Sequence, residues 1–307
     1  MATDTAKATV TLRDLTAKFD NSVRGATPFY PRVCTIFPST GLNEKYAFLG
    51  NMPGIREWLG DRQFKEVRGA NFVLENKHWE SSLLVKKTDI DDDRLGLYGP
   101  LMDQLAIEAA YHPDELTMET LIVGGAATTC WDGQYFFDTD HAFGDSGSQS
   151  NDLTFAAATG TTPTAAEFKD AYHQARTAML KFKNDQGKFL NRPVLASQKS
   201  LMLLVPPELE QVAKEALTAT LSGGGNTNII LDSPEIVPSP HLTDAAVFYL
   251  FNLGGSLRPF VFQAREPLSR GMKGMDDLET KDVKFMTEAR YNVGYLAWWA
   301  GVLTTFT

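Results

Sequence analysis

The sequence predicts an α+β fold, and three stretches carry that prediction. Residues 90–125 place apolar side chains at helical spacing, with Leu97, Leu101, Leu105 and Ala109 along one face. Residues 63–74 and 78–87 alternate polar and apolar residues on either side of Glu75-Asn76-Lys77, the pattern of two strands joined by a turn. Residues 291–302 close the chain with Tyr291, Val293, Tyr295, Ala297 and Trp299 on one face of a further strand.

The helix opens on Asp91, Asp92 and Asp93, whose charge suits the positive end of a helix dipole. Pro100 sits in the first turn, where proline is tolerated. Pro113 should bend the helix or restart it, because it lacks an N–H and its ring clashes with the preceding turn. Leu116, Ile122 and Val123 carry the apolar face onward until Gly124-Gly125 stops it. A nearly continuous run of about 25 residues makes a rod roughly 38 Å long, the length of a strut.

The 307 residues suffice for two domains or one elaborated one, and 43% hydrophobic content allows a real core. The formal charge of −9 argues against a protein that grips nucleic-acid phosphates through a basic stripe. Cys34 and Cys130 have no metal-ligand spacing and read as reduced thiols. No signal peptide is visible in the polar, Thr-rich start. The most apolar run, 293–303, is too short to cross a bilayer, which needs about 20 residues.

Residues 1–55 read as an arm. Residues 11–22 form an amphipathic helix through Leu12, Leu15 and Phe19, and short extended pieces between Pro28, Pro31, Pro38 and Pro53 follow. With little core of its own, the arm has to pack on something else, and a partner subunit is one candidate. After a helical turn at 55–59 comes the ribbon, 56–88. It is heavily charged, with Arg56, Arg62, Lys65, Glu66, Arg68, Glu75, Lys77, Glu80, Lys86 and Lys87, and it carries Phe72, Leu74, Leu83 and Val85. A lone hairpin is marginal in water. It either lies on its own domain or reaches over a neighbouring subunit.

Residues 126–162 are loop-rich. Thr164 and Glu167 form a capping box ahead of a helix whose inner face is Phe168, Tyr172, Ala175, Met179 and Phe182. Residues 201–205 are a buried strand. Pro207 opens a helix with Leu209, Val212, Ala213, Ala216 and Leu217 inside. Gly223, Gly224, Gly225 and Asn226 form a flexible tip, and extended pieces at 228–231, 235–237, 246–253 and 259–263 complete what reads as a small α/β unit. Residues 282–287 and 291–302 end the chain as strands.

Catalytic chemistry finds little support. Asp132, Asp138, Asp140 and His141 could ligate a divalent metal, but the spacing matches no EF-hand, and Asp residues capping turns explain it more simply. The glycine tip lacks the Lys-Ser/Thr of a phosphate loop and follows a helix instead of preceding one. GxSxG is absent, and no Ser-His-Asp or Cys-His set has a local signature. His78 and Glu80 share a strand face, where an ion pair is the expected role. His112, before Pro113, reads as a helix-end residue.

Three stretches resemble the major head subunit of Mu-like tailed phages. They are YAFLGNMPGIREWLGDRQF (46–64), NFVLENKHWESSLLVKKTDIDDDRLGLYGPLMDQLA (71–106) with CWDGQYFFDTDH (130–141), and LRPFVFQAREP (257–267). VPPELEQVAKEAL (205–217) is similar to a strand-to-helix step common in capsid proteins. The resemblance implies the capsid fold first described for phage Hong Kong 97. Residues 1–55 would be the N-terminal arm, 56–88 the extended loop over an adjacent subunit, and 89–190 the peripheral domain with its spine helix. Residues 191–275 would be the axial domain, its tip at Gly223–Asn226, and 276–307 the strands returning to the peripheral domain. It implies a non-enzymatic, cofactor-free shell subunit. The partners it implies are copies of itself in pentamers and hexamers, a separate scaffold protein, a portal and a decoration protein. Packaged DNA would be held only weakly, and no membrane is involved. Two alternatives are an encapsulin-like nanocompartment shell, and a metal-dependent hydrolase using Asp138, Asp140 and His141.

Overall fold

The structure, a computed structural model, describes residues 2–49, 69–86, 88–89, 98–191, 200–218, 221–222, 226–227, 233–273 and 282–307. The expected acidic turn at Asp91–Asp93, the helical turn at 55–59, the strand at 228–231 and the glycines 223–225 lie outside these residues.

In chain order the elements begin with α1 (Ala2–Gly25), α2 (Tyr30–Val33), β1 (Cys34–Pro38), β2 (Asn43–Leu49), β3 (Gly69–Glu75) and β4 (Lys77–Val85). The long helix α3 (Tyr98–Glu115) runs on into a π-helical turn (Leu116–Ile122) and a 3-10 turn (Val123–Ala126). There follow β5 (Asp152–Phe155), α4 (Ala165–Lys181), β6 (Leu201–Val205), α5 (Pro207–Thr218), β7 (Leu221–Ser222), β8 (Asn226–Thr227), β9 (Glu235–Pro238) and β10 (Val247–Asn252). The chain ends with β11 (Phe260–Lys273), β12 (Val283–Tyr295) and β13 (Gly301–Phe306).

Two sheets organise the chain: β1-β11-β12-β4, and β5-β13-β10-β6-β9. In the second, β6 is apolar along its whole length and β10 up to its last residue, Asn252, and both are buried on both faces, as strands between two covered faces must be. Phe248 and Phe306 meet Phe168 of α4 on one side. Tyr249 and Phe251 meet Phe137 and Phe260 on the other. Helix α4 starts at the expected capping box, and its inner face of Phe168, Tyr172, Ala175 and Met179 is fully buried.

The two strands expected to form a hairpin across Glu75-Asn76-Lys77 both exist but do not pair with each other. β3 pairs with β2, Asn43 against Glu75 and Leu49 against Gly69. β4 pairs with β12, Val85 against Val283. Only Asn76 separates β3 from β4, and the shortest common hairpin loops need two residues. Asn76 is a buried corner whose Nδ2 donates to Ser39 Oγ (2.7 Å) and to the Gly41 carbonyl (2.9 Å). The ribbon is therefore built from 43–49 and 69–75, and its first leg lies within the stretch assigned to the arm.

The arm is fastened to its own chain. Leu15 and Phe19 of α1 are buried with Met102 and Ala106 of α3 and Phe285 of β12. The Asp20 carboxylate accepts two bonds from the Arg270 guanidinium (2.7 and 2.6 Å). Asp114 accepts the backbone N–H groups of Phe29 and Tyr30, both at 2.7 Å, capping α2 from the long helix. β1 then joins β11 in parallel, Cys34 against Phe260.

The buried face of α3 is Gly99, Met102, Ala106 and Pro113, one position round from the predicted stripe, and Leu101 is 45% exposed. Pro113 lies inside the helix and does not end it. The ladder it interrupts widens into the π turn just after it, and Thr117 Oγ1 donates to the Pro113 carbonyl at 2.8 Å. At the C-terminus, 282–287 and 291–295 form one strand instead of two, and a 3-10 turn at Trp298–Ala300 separates β12 from β13. The units expected at 191–275 and 276–307 do not respect those borders: β11 belongs to the first sheet and β13 to the second.

A Cβ at Gly125 would sit 2.6 Å from the Phe137 ring, whereas one at Gly99 would meet only the mobile end of Lys18. Gly125→Ala is expected to cost about 1–3 kcal/mol by overpacking and Gly99→Ala almost nothing, read by thermal unfolding. Backbone and side-chain bonds from Thr164 hold the Glu167 carboxyl down at about 2, against an ordinary 4.5. Its stabilisation is complete above the ordinary value and is lost as pH falls toward about 2. The melting-temperature gap between wild type and Glu167→Gln should close over that window.

Candidate functional site

The ribbon's base is clamped by side chains. The Glu44 carboxylate accepts the N–H groups of Gly41 (3.0 Å) and Thr40 (2.7 Å) and the Ser39 hydroxyl (2.9 Å), bonds that hold it below the usual carboxylate range. The Tyr46 hydroxyl donates to Gln263 Oε1 at 2.9 Å, and Gln263 Nε2 donates to the Leu74 carbonyl at 3.1 Å. Asn292 Nδ2 donates to the Glu75 carbonyl at 2.7 Å. Tyr46 and Phe72 stack with ring centres 5.0 Å apart, and Leu74 closes over Gly294.

Of the residues expected to meet a neighbour, Phe72 and Leu74 are half-buried and already packed within the chain. Leu83 packs against the α1–α3 cluster, and Val85 is fully buried. Part of this apolar face is therefore spent on contacts within the chain. Glu75, Lys77, Glu80 and Lys86 are exposed, as are Val73 (61%) and Leu42 (63%), which sequence reasoning did not single out. Arg56, Arg62, Lys65, Glu66 and Arg68 lie outside the described residues, between the legs β2 and β3. Gly223, Gly224 and Gly225 also lie outside them, and Asn226 begins β8 opposite Ser222.

The Asp/His cluster is a structural knot. His141 is fully buried, its Nδ1 lies 2.6 Å from Asp132 Oδ2, and its ring stacks on Trp298 at 4.1 Å with the planes 4° apart. Asp138 spends its carboxylate on the N–H groups of Tyr135 and Thr139. Among the described residues no group of three His, Cys, Asp or Glu side chains could hold a metal. The hydrolase expectation at Asp138, Asp140 and His141 therefore fails: the histidine pairs with Asp132, and the space over its ring is filled by tryptophan. Cys34 and Cys130 are both free thiols, with Cys34 pushed up to about 12 by burial.

His112 lies in the last turn of α3, the helix-end position expected of it. Its Nδ1 is 2.6 Å from the Tyr291 hydroxyl, and its ring is 4.4 Å from Trp79. Burial lowers its pKa, partly opposed by Glu115. His78 pairs across the strands with Glu288 (3.6 Å), not with Glu80.

A five-stranded sheet wrapped by helices, a second sheet crossed by a long helix, and a ribbon clamped at its base together make the fold of tailed-phage capsid subunits. The chain superposes on a procapsid subunit of bacteriophage JBD30 with a TM-score of 0.56 and 26% identity, over 97% of this chain and 75% of that one. Residues 9–165 and 163–242 match the family described as Mu-like prophage major head subunit gpT, and the chain belongs to that family. It is 40% identical over 126 residues to the Mu-like prophage FluMu major head subunit of Haemophilus influenzae, 41% of each chain. It is 31% identical over 123 residues to the major capsid protein of Escherichia phage Mu, 40% of each chain. These matches thus span about two-fifths of the length of each curated relative.

Asn76→Ala would leave Ser39 Oγ and the Gly41 carbonyl without their buried donor, at an expected cost of about 1–3 kcal/mol. Hydrogen exchange should accelerate in β2 and β3 before it does in β10.

Proposed function

We propose that this chain is the major shell subunit of a Mu-like tailed-phage or prophage head, non-enzymatic, and assembled in many copies around double-stranded DNA. The observation that carries this reading is the ribbon: seven residue pairs held by hydrogen bonds at one end, with the charged residues 50–68 joining its two strands in the sequence. Such a projection gains little from its own interior, and a neighbouring copy is its natural support. Heterologous contacts of this kind close into rings, here pentamers and hexamers. In the names of that fold, 1–42 is the arm, 43–75 the extended loop, α3 the spine, the four-stranded sheet the peripheral domain and the five-stranded sheet the axial domain, with the glycine tip Gly223–Asn226 near the ring axis.

The location that follows is the virion, after assembly in the host cytoplasm. A separate scaffold protein, a portal and a decoration protein complete the particle. The acidic chain would leave the packaged genome loosely held. A nanocompartment shell would share the fold, so it is membership of the head-subunit family, not the architecture, that favours a phage head.

Exposed ion pairs are worth roughly 0–1 kcal/mol each, so one substitution should be tolerated and several should not. Reversing Arg56, Arg62, Lys65 and Arg68 together to glutamate is expected to leave the melting temperature unchanged and to abolish particles in negative-stain micrographs. Normal particles from that variant would refute the reading.

A further inference from the structure

Between α3 and the β4–β12 edge of the first sheet lies an open groove of about 220 Å³. Its walls are aromatic. Trp79 lies 4.4 Å from His112 and 6.1 Å from Tyr291, and the His112–Tyr291 hydrogen bond fixes the two rings against each other. Glu108, His112 and Glu115 recur at steps of four and three on one face of α3, separate from the buried Met102–Ala106 face. Glu80 and Glu288 border the groove but alternate with Trp79 and Ala289 and so share the sheet's other face, and among the described residues no lysine or arginine lines it.

The carboxylates are idle. Among the described residues no cation is paired with Glu80, Glu108 or Glu115, and Glu288 faces only His78. The indole already attracts a cation, since Lys77 Nζ sits 5.9 Å from the Trp79 ring centre. Carboxylates beside aromatic faces, with the apolar Ala109 and Leu268 beneath, suit an ammonium or guanidinium head on an alkyl stem.

We propose that this groove receives a lysine or arginine side chain from residues 50–68 of a second copy of this chain. The inference rests on the shell reading and names the place where the ribbon's tip is held. Charge complementarity selects the occupant. The helix wall of the groove offers the carboxylates of Glu108 and Glu115 and, among the described residues, no Lys or Arg, and the 50–68 stretch carries Arg56, Arg62, Lys65 and Arg68 against Glu57, Asp61 and Glu66. Glu108 and Glu115 are exposed, so they can be changed without disturbing the core.

The test uses the full chain in assembly reactions followed by sedimentation and negative-stain microscopy, with thermal unfolding as the folding control. Glu108→Gln with Glu115→Gln should lower particle yield roughly tenfold at an unchanged melting temperature. Glu108→Lys with Glu115→Lys should abolish particles. Adding the four ribbon reversals, Arg56→Glu, Arg62→Glu, Lys65→Glu and Arg68→Glu, to that lysine variant should restore them, because each copy then offers an acidic tip to a basic groove. If the lysine variant assembles like wild type, or if the combined chain stays unassembled, the groove is not the receptor, and the shell reading stands on the wild-type particles. If the wild-type chain forms no particles at all, both readings fall together.

Discussion

The pairing of β12 between β11 and β4 is the contact on which the other parts depend. Phe285 of β12 gives α1 and α3 their shared core, so the arm is held through this strand. Tyr291 orders His112 on the long helix. Asn292 and Gly294 receive the ribbon's base, one through a hydrogen bond to Glu75 and the other by leaving room for Leu74. The strand then hands the chain over to β13 in the other sheet. Arm, spine and ribbon thus each make a contact with β12.

The two sheets do different physical work. The central strands β6 and β10 of the five-stranded sheet are buried on both faces and crossed by aromatic contacts, an arrangement that resists deformation because interiors are packed as densely as organic crystals. The four-stranded sheet has one face under α1 and α3 and an outer face carrying Lys284, Glu288 and Arg290, with Met286 41% exposed. A rigid body joined to a sheet with an accessible face and a projecting ribbon is a workable shell unit. It keeps its shape while its edges adapt to neighbours. The buried Asp132–His141 pair and Asn151 tie the long 126–151 loop to this frame. Asn151 alone donates to the carbonyls of Phe136, Trp298 and Gly301.

Where contacts are local, the residues announced the structure. The Thr164–Glu167 box, the inner face of α4 and the continuous apolar run of β6 were all legible, because each depends on neighbours a few positions away, whereas Gly124-Gly125 lie inside the closing 3-10 turn, which runs on to Ala126. The stripe on α3 was misplaced by one position. Leu and Ala recur on two overlapping faces there, and only the arrival of α1 and Phe285 selects Met102 and Ala106. The ribbon's pairing was misread for a similar reason. The signal for a turn at Glu75-Asn76-Lys77 is real, but Asn76 uses its amide to bind Ser39 and Gly41, a partner loop distant in sequence, and so makes a corner.

The sequence by itself determined that this is an α+β chain with a long helix, a charged ribbon and a closing strand, and its quoted stretches pointed to the head-subunit family. Those are consequences of periodicity, capping and side-chain type, which are written locally. Tertiary structure alone decided that β2 and not β4 is the partner of β3, and that the arm rests on its own spine. It also decided that His141 serves Asp132 and Trp298, and that Trp79, His112 and Tyr291 converge with glutamates around a groove. Each of these joins residues tens to hundreds of positions apart, and no local pattern encodes which of several compatible surfaces will meet.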